Sequence, residues 1–432
     1  MTIKPYKKIS VIGGGSVLWT PDAVAKMAST ASICHAEVTL YDVRYEQAVR
    51  VAEACSRMLK RSHPDSTMKV HAAKSLEGAL TGTDAVITCF CNLGSGVENR
   101  IDEISKKYGS NQHCYTAGPG ALLYLAIQGP VLIDVVEAMR KHCPDAWLIN
   151  CSNPLPAMIM VAVKAGMSSR KALGFCGALS WEHDLLAKFL QVEPERVDFR
   201  LGGTNHCSFY TEVYLDGMDA SPLIRKRGQE QPYLDLGCWG RSATEIEILN
   251  AVGYLPPGGH PSDIFPTLQG EWIPPGPDAP PKPKNFDGDF LTRLEAYGLG
   301  GNEELNLPKV REVPFSWLDA LAGDTREHHF SINITNDGAV PNLPAWAVPD
   351  LECHIDRRGV TPFTSPALPE VIAEIVRRHQ ITFEMAARAI VGRDRKLLRE
   401  AIQLCPFGDY MRSADKILED AARELGAHFF FQ

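Results

Sequence analysis

The sequence predicts an α/β protein in which a doubly wound parallel sheet is followed by an α+β domain. Three observations lead to this prediction. Short apolar runs alternate with helical patterns over the first 150 residues, an apolar run leads directly into the glycines of residues 13–15, and strand and helix patterns mix from about residue 200. Strands separated by helices pair through right-handed crossovers, which produce a parallel sheet with helices on both faces.

The N-terminal part, which we place at residues 1–198, contains the predicted parallel strands. Its predicted strands cover residues 7–15 (including a glycine turn), 37–43, 69–73, 85–90, 146–154 and 171–178. Its predicted helices cover residues 21–30, 122–143 and 180–191, together with a long amphipathic pattern that ends at Lys60. Short apolar runs that are bounded by turn residues are typical of buried strands.

The C-terminal part, residues 199–432, mixes strands and helices. Its predicted strands cover residues 208–215 and 328–335, and its predicted helices cover residues 242–252, 367–379, 381–392, 395–404 and 413–425. The Pro/Gly-rich segment 255–285 cannot continue a helix or a central strand, so we predict a loop that is either mobile or part of a site wall.

One stretch of the C-terminal part combines a strand pattern with polar residues. Residues 199–214 read FRLGGTNHCSFYTEVY, which predicts a strand around a Gly-Gly kink. Asn205 and His206 lie in the middle of this otherwise apolar stretch. Burying an amide and an imidazole costs free energy unless each finds a partner, so both side chains are expected to face one.

Composition excludes several classes of protein. The 432 residues are 45% hydrophobic and 22% charged with a net charge of −8, and no basic cluster stands out, which argues against nucleic-acid or anionic membrane surfaces. No apolar run is predicted to reach the roughly 18 residues that span a bilayer, and the N-terminus does not resemble a secretory signal. The twelve cysteines are spaced singly, so we expect a cytoplasmic protein with reduced thiols.

The glycine turn predicts a phosphate-binding loop. Gly13, Gly15 and Ser16 follow a strand and precede a helix, where backbone N–H groups can bind pyrophosphate. Leu18 replaces the third glycine of the usual pattern, but Asp42 ends the next strand, where it can bind the ribose hydroxyls and favour NAD over NADP. A glycine turn with a structural Asp42 is the alternative.

Six motifs together resemble glycoside hydrolase family 4, whose members are NAD- and metal-dependent glycosidases. The motifs, which span nearly the whole chain, are GGGS at the N-terminus, LYD (40–42), YTAGPGA (115–121), INCSNPLPAM (149–158), LGFCGA (173–178) and GGTNHCSFY (202–210), and NDGAVPNLP (336–344) is similar to a later family segment. The resemblance implies a Rossmann-like N-terminal domain similar to lactate and malate dehydrogenases. It also implies that residues 199–432 bind substrate and metal and form a homodimer or homotetramer.

The resemblance further implies a redox route to glycoside cleavage, which is an exception among glycosidases. NAD takes a hydride from sugar C3, a base removes the acidified C2 proton, and the group at C1 is eliminated before water adds and the hydride returns. A metal ion bound to the C2 and C3 oxygens stabilises the enediolate. NAD and a divalent ion, preferably Mn²⁺, are therefore the expected cofactors, and a small carbohydrate is the expected partner.

Cys176 and His206 match the two metal ligands of the family. Without the resemblance, two residues thirty positions apart form no metal-binding pattern, and a buried histidine with a hydrogen-bonded partner in the core remains the alternative. Asn153, at the end of a parallel strand, matches a position that contacts sugar and cofactor, and Asn205 is expected to bind substrate beside the metal. We also predict that Asn92 contacts the cofactor.

Other positions concern the substrate. Arg100 matches a position that often carries a sugar-facing arginine, although a solvated helix charge is an equal alternative. Tyr124 and Ile127 stand where relatives have arginines, which argues against a 6-phosphosugar because its phosphate needs fixed positive charge. Gly177 follows the metal cysteine where some relatives carry an acid. The segment EIEILNAVGYLPPGGHPSD (245–263) is closer to the α-galactosidase/α-uronidase branch than to the 6-phospho-glucosidases.

The acid and base are expected in or beside the Pro/Gly-rich loop. Tyr254, His260 and Asp263 are the candidates, and His260 and Asp263 match an acidic–histidine segment of the same branch. Structural hydrogen bonding is the alternative for each. Two other functions remain open: an NAD-dependent sugar or 2-hydroxy-acid dehydrogenase, which needs no leaving-group acid, and a non-catalytic NAD-binding sensor.

Overall fold

The computed structural model describes residues 5–94, 96–176, 182–230, 242–257, 286–300, 315–323, 326–406 and 408–431. The strands are β1 (Lys8–Ile12), β2 (Glu37–Tyr41), β3 (Lys69–Ala72), β4 (Ala85–Thr88), β5 (Trp147–Asn150), β6 (Ala172–Gly174), β7 (Val197–Thr204), β8 (Cys207–Leu215), β9 (Met218–Asp219), β10 (Glu327–Asn333), β11 (Asp350–Asp356) and β12 (Gly359–Pro362).

The described helices lie between these strands and at the C-terminus. They are α1 (Trp19–Ala28), α2 (Tyr45–Ser62), α3 (Leu76–Leu80), α4 (Val97–Lys106), α5 (Gly118–His142), α6 (Leu155–Lys164), α7 (Glu182–Leu190), α8 (Ser221–Glu230), α9 (Ser242–Val252), α10 (Phe286–Gly298), α11 (Phe315–Ala322), α12 (Glu370–Gly392), α13 (Arg395–Gln403) and α14 (Ala414–Leu425).

The predicted fold class is confirmed by the main sheet. Its strand order is β12-β11-β10-β6-β5-β4-β1-β2-β3, and β1 to β6 are all parallel. The order 3-2-1-4-5-6 among these six strands is that of a doubly wound dinucleotide-binding fold. Three antiparallel strands from the C-terminal half, β10, β11 and β12, extend the same sheet beyond β6. The boundary between residues 198 and 199 stays a prediction.

Side-chain alternation along the central strands explains why helices cover both faces. In β4, Ala85 and Ile87 pack into a core formed with α1, α2, α10 and α11, whereas Val86 packs into the core formed with α5, α6 and α12. Leu148 and Ile149 of β5 divide between the same two cores. Successive side chains of a strand point to opposite faces, so a strand that is buried on both faces reads as a continuous apolar run.

The helix α5 corrects one expectation from the sequence. In length and composition it is apolar enough to cross a membrane, although no such segment was predicted. Two thirds of its most apolar part is buried inside the protein, where residues such as Leu122, Leu125 and Leu132 pack against α6 and α12. It is therefore the central helix of one core.

Two further predictions about elements are wrong. The helices predicted over residues 367–379 and 381–392 form the single helix α12. The chain continues through Gln380, which is not a helix breaker and is buried with its side chain hydrogen-bonded. The single kinked strand predicted over residues 199–214 is a β7–β8 hairpin, in which Thr204 pairs with Cys207 across a two-residue turn. His206 in this turn has φ 61°, a left-handed conformation that histidine adopts more readily than most residues.

Candidate active site

The glycine turn joins β1 to the segment that leads into α1. Gly13 has φ 94°, and a Cβ at this position would lie 2.8 Å from Phe90 Cα, so the backbone requires glycine here. The N–H groups of Gly13 and Gly14 both donate to the Tyr41 carbonyl, at 2.9 and 3.0 Å, which holds the turn at the end of β2. The predicted residues Gly13, Gly15 and Ser16 thus lie at the C-terminal edge of the sheet, where ligands of such folds bind.

Asp42 lies at the same edge, directly after β2. Its side chain is 10% exposed, one oxygen accepts from the Gly15 N–H at 3.1 Å, and the other accepts from the Arg44 N–H at 2.9 Å. The structural role that the sequence left open for Asp42 is therefore present. A carboxylate can accept about four hydrogen bonds, so these two leave capacity for the ribose hydroxyls of a dinucleotide.

The loops after β4 and β5 are fixed to each other. Thr88 Oγ1 donates to Asn150 Oδ1 at 2.8 Å, and Ser152 Oγ donates to the Phe90 carbonyl at 3.0 Å. Asn153 follows, with a cis peptide bond to Pro154, and its half-buried side chain makes no hydrogen bond to any residue that the structure describes. Its amide is therefore available to a ligand at the sheet edge.

The side chain of Asn92, unlike that of Asn153, is hydrogen-bonded within the protein. Its side chain donates to the Ile127 carbonyl at 3.2 Å and accepts from the Leu93 N–H at 3.1 Å, and its own N–H donates to Gln128 Oε1 at 2.9 Å. These bonds tie the loop after β4 to α5. A role of Asn92 in contacting the cofactor stays a prediction.

Cys176 and His206 lie together although they belong to different sheets. Cys176 comes two residues after β6 of the main sheet, and His206 lies in the β7–β8 turn of the three-stranded sheet. Their Sγ and Nε2 atoms are 3.9 Å apart. A sulfur and an imidazole nitrogen at this separation can bind one metal ion, and such a pair leaves other coordination positions for sugar oxygens and water.

The turn that carries His206 is held by α12 on one side. Gln380 Nε2 donates to Thr204 Oγ1 at 2.7 Å, and Thr204 Oγ1 donates to the Val348 carbonyl at 2.9 Å. Gln380 Oε1 accepts from the Val348 N–H at 2.7 Å. Gly203 precedes this network with φ 154°, and a Cβ there would lie 2.3 Å from the Cys207 carbonyl oxygen. The position of His206 is therefore fixed by buried hydrogen bonds and close packing.

Asp350, at the start of β11, holds the other side of the turn. One of its oxygens accepts from Ser208 Oγ at 2.6 Å, and the other accepts from Ser331 Oγ at 3.0 Å and Asn333 Nδ2 at 2.6 Å. Asn333 in turn pairs with Gly174, two residues before Cys176. This buried carboxylate thus links the strand that leads to Cys176 with the hairpin that carries His206.

The sequence reasoning did not identify Asp350, Asn333 or Gln380. The available signal was the presence of polar residues, Ser331 and Asn333, in the otherwise apolar strand β10. Buried polar groups are nearly always hydrogen-bonded, so such residues indicate a partner elsewhere in the chain. That partner lies on another strand and could not be chosen from one sequence.

Asn205 is the other residue of the turn that carries His206, and Tyr254 lies beside the same hairpin. Asn205 is 5% exposed, and its side chain makes no hydrogen bond within the described parts of the chain. Tyr254 follows α9, is half-buried, and packs at the edge of the core that contains Phe175 and Cys207. The adjacent Leu255 carbonyl accepts from the Tyr210 N–H of β8 at 2.9 Å.

Several predicted positions are not placed near the others. His260, Asp263 and Gly177 lie outside the described residues. Arg100 is exposed on α4, and its guanidinium forms no ion pair with another described residue. Its contact with sugar stays a prediction, and so does the alternative of a solvated charge.

Tyr124 and Ile127 are buried in the core around α5, with 2% and 1% of their surface exposed. The Tyr124 hydroxyl donates to Cys91 Sγ at 3.2 Å, and its ring lies 5.2 Å from the Tyr115 ring. Burial raises the pKa of Tyr124 far above its ordinary value, so the hydroxyl is uncharged. These neutral groups occupy the positions at which the resemblance led us to look for arginines.

Comparison with known proteins identifies the family. The family model described as family 4 glycosyl hydrolase matches residues 8–192, and that of the family 4 C-terminal domain matches residues 294–407. The chain is 27% identical to an α-galactosidase of Bacillus subtilis, over 98% of both chains, and 25% identical to an α-galacturonidase of Thermoanaerobacter italicus, over 93% of this chain and 92% of the relative.

Solved structures have the same fold. The 6-phospho-β-glucosidase of Thermotoga maritima, determined with manganese, NAD⁺ and glucose-6-phosphate, superposes with a TM-score of 0.76 at 20% identity, over 98% of this chain and 99% of that chain. Malate dehydrogenase of Plasmodium falciparum superposes with a TM-score of 0.52 at 15% identity, over 91% and 99%. Two family models together match more than half of the sequence, and this chain belongs to family 4 of the glycosyl hydrolases.

Proposed function

We propose that this chain uses NAD and a divalent metal ion to cleave glycosides whose sugar carries no phosphate group. The observation that carries the proposal is the 3.9 Å separation of Cys176 Sγ and His206 Nε2, at the sheet edge where the glycine turn also lies. Because two protein ligands leave the other coordination positions to oxygen atoms of sugar and water, the pair suits Mn²⁺. The Thermotoga relative contains the same two cofactors, which supports the assignment.

Two separate groups of residues would bind the two cofactors. NAD supplies reversible hydride acceptance at a sugar carbon, and the metal ion withdraws electron density from neighbouring sugar oxygens. Gly13, Gly15 and Ser16 would bind the pyrophosphate, and Asp42 would bind the ribose. Cys176 and His206 would hold the ion on the substrate side.

Two amides and three acid/base candidates complete the proposal. The Asn153 and Asn205 side chains, which make no hydrogen bonds within the described chain, would orient sugar hydroxyls. Tyr254, His260 or Asp263 would move the C2 proton and supply the proton that the leaving group needs, since Gly177 has none to give. Of the three, Tyr254 is anchored beside the His206 hairpin through the Leu255–Tyr210 backbone hydrogen bond.

The proposed substrates are an α-galactoside or an α-galacturonide. The named activities of the Bacillus and Thermoanaerobacter relatives support this choice. The uncharged Tyr124 and Ile127 also support it, because a phosphate group would require fixed cations. Arg100 is the remaining candidate for a sugar contact, and a uronate would give its guanidinium a carboxylate partner.

Aryl α-galactoside and aryl α-galacturonide provide a direct test. With NAD and Mn²⁺, we expect release of the phenol without net formation of NADH, and exchange of the C2 hydrogen with deuterated solvent. Cys176→Ser and His206→Ala should abolish turnover while NAD binding persists, whereas Cys34→Ser, a thiol near the surface, should not. NADH formed in step with an oxidised sugar would instead identify a dehydrogenase, and full activity of either site variant after chelation would refute the metal site.

We further propose that the chain is a cytoplasmic homodimer or homotetramer. The cysteines that the structure describes are all free thiols, which is what a reducing compartment maintains. Light scattering on the purified chain measures the mass of the assembly, and a monomer at all concentrations would contradict the proposal.

A further inference from the structure

A second group of metal-ligating side chains lies in the connection between α4 and α5. One donor atom from each of Asp102, His113 and Cys114 comes within 4.8 Å of the other two. This group shares no residue with the Cys176–His206 pair. We propose that it is a structural binding site for a thiophilic divalent cation of the Zn²⁺ class.

The geometry of the three side chains supports one coordination mode. Cys114 Sγ lies 3.8 Å from His113 Nδ1, and His113 Nε2 lies 3.8 Å from Asp102 Oδ2. The Tyr115 N–H donates to His113 Nδ1 at 3.2 Å, so the neutral ring carries its proton on Nε2. An ion at Nε2 would require that proton to move to Nδ1, where it would replace the hydrogen bond from Tyr115. Asp102 Oδ1 accepts from the Cys114 N–H at 2.9 Å, so Oδ2 is the oxygen that remains.

The cysteine and the aspartate of the site are arranged before an ion arrives. The Asp102–Cys114 hydrogen bond fixes the cysteine against the helix that carries the aspartate, and Cys114 is fully buried. The His113 side chain is 44% exposed, which gives an ion and a water ligand access from solvent. One sulfur, one nitrogen and one oxygen ligand with a fourth position open to water make a set that zinc accepts.

Charge in this region also favours a cation. The Asp102 side chain is only 15% exposed, and no lysine or arginine among the described residues lies within ion-pair distance of it. Burial and the nearby charges of Asp102 and Glu98 raise the pKa of the Cys114 thiol, so the thiol is protonated without an ion. Binding would release the thiol proton, and the ion would balance the resulting thiolate and Asp102.

An ion at this position would join the end of α4 to the start of α5. Tyr115 follows Cys114 directly, and its ring packs against Tyr124 of α5. Occupancy would therefore stiffen the segment that leads into α5, next to the loop of Asn92. The group shares no residue with the proposed catalytic ligands, so metal binding here and the proposed function can be tested separately.

The test uses the full chain with the first site removed. Cys176→Ser/His206→Ala, stripped with EDTA and dialysed against Zn²⁺, should retain one zinc per chain, and calorimetry in buffers of different ionisation enthalpy should report the release of one proton. Adding Cys114→Ser or His113→Ala should weaken zinc binding by about tenfold or more, as expected for loss of a ligand or its support. Cys34→Ser is the matched control for a cysteine outside the group and should leave zinc binding unchanged.

Cadmium gives a second readout that does not depend on stability. Cd²⁺ added to the Cys176→Ser/His206→Ala chain should produce a thiolate-to-cadmium absorption that disappears with Cys114→Ser. The proposal is overturned if zinc stoichiometry and cadmium absorption are the same with and without Cys114, or if Cys34→Ser removes as much as Cys114→Ser. If the wild type binds no more metal than the Cys176→Ser/His206→Ala chain, the first site fails and the second site is unaffected.

Discussion

Two serines that bind the same carboxylate provide a sharp test of how His206 is positioned. Ser208 and Ser331 both donate to Asp350, at 2.6 and 3.0 Å, and both are buried, with 4% and 7% of their surface exposed. They differ in location, because Ser208 is two residues from His206 on the hairpin and Ser331 lies in β10. Ser208 Oγ also lies 3.0 Å from the Thr204 carbonyl, so Ser208→Ala removes the hydroxyl that joins Asp350 to the hairpin, whereas Ser331→Ala removes a bond outside it.

The expected loss of stability is similar for the two variants. Leaving a buried hydrogen-bonding group without a partner costs about 1–3 kcal/mol, so each substitution should lower the free energy of unfolding by that amount. Asp350 keeps its remaining donors in either case, which include Asn333 Nδ2 at 2.6 Å. Chemical denaturation of the metal-free chain measures this change.

Metal binding should separate the two variants. We expect Ser208→Ala to weaken Mn²⁺ binding by about tenfold, the lower end of what loss of a residue supporting a ligand costs, and Ser331→Ala to leave the affinity near that of wild type. Isothermal titration with Mn²⁺ provides the two dissociation constants. Equal weakening in both variants, or none in Ser208→Ala, would refute the argument that the Asp350–Ser208 bond positions His206.

Three further predictions concern the cofactor, pH and substrate. Gly13→Ala should weaken NAD binding because its Cβ would lie 2.8 Å from Phe90 Cα; Gly217→Ala, also at positive φ but in open space, should not, and unchanged NAD affinity in Gly13→Ala would contradict the loop assignment. Burial lowers the pKa of His329 to about 4. The unfolded chain, with a histidine pKa of about 6.5, then binds more protons between these values, so up to about 3 kcal/mol of stability is lost as the pH falls from 6.5 to 4. His329→Phe should flatten that slope in denaturation curves, and an unchanged slope would show that other groups cause it. Because Tyr124 is neutral, glucose 6-phosphate should inhibit aryl α-galactoside cleavage no better than glucose, and stronger inhibition in steady-state assays would indicate a phosphate-binding site.

The parallel sheet could be predicted because its strands carry their own signal. The run around Ile87 is apolar on both faces, and those around Ile9 and Leu40 place an apolar side chain at every second position. All three are bounded by glycines or polar turns. The predictions that failed concern elements whose structure depends on contacts between residues far apart in the sequence. Nothing in the sequence places β10 antiparallel to β6, and nothing local shows that Gln380 continues α12 while bonding to Thr204.

Only part of the candidate active site could be predicted from the residues alone. The turn of Gly13 and the carboxylate of Asp42 follow from the position of a glycine run and an acid at two strand ends. His206 in an apolar stretch, read from the residues alone, indicated only a buried polar group with an unknown partner. The family resemblance supplied Cys176 as that partner, and the fold places the two side chains together. Asp350 and Asn333 were not predicted, because their role depends on contacts among β8, β10 and β11.

The coordination shell of a bound ion shows whether Cys176 and His206 are the metal ligands. X-ray absorption on Mn²⁺-loaded or Co²⁺-loaded Cys114→Ser chain, in which the second site is removed, reports the atoms around the first. We expect one sulfur and one imidazole nitrogen with the remaining ligands oxygen, and loss of the sulfur signal in Cys114→Ser/Cys176→Ser. A shell without sulfur, or a sulfur signal that survives Cys176→Ser, would contradict the assignment of Cys176 and His206 as the metal ligands.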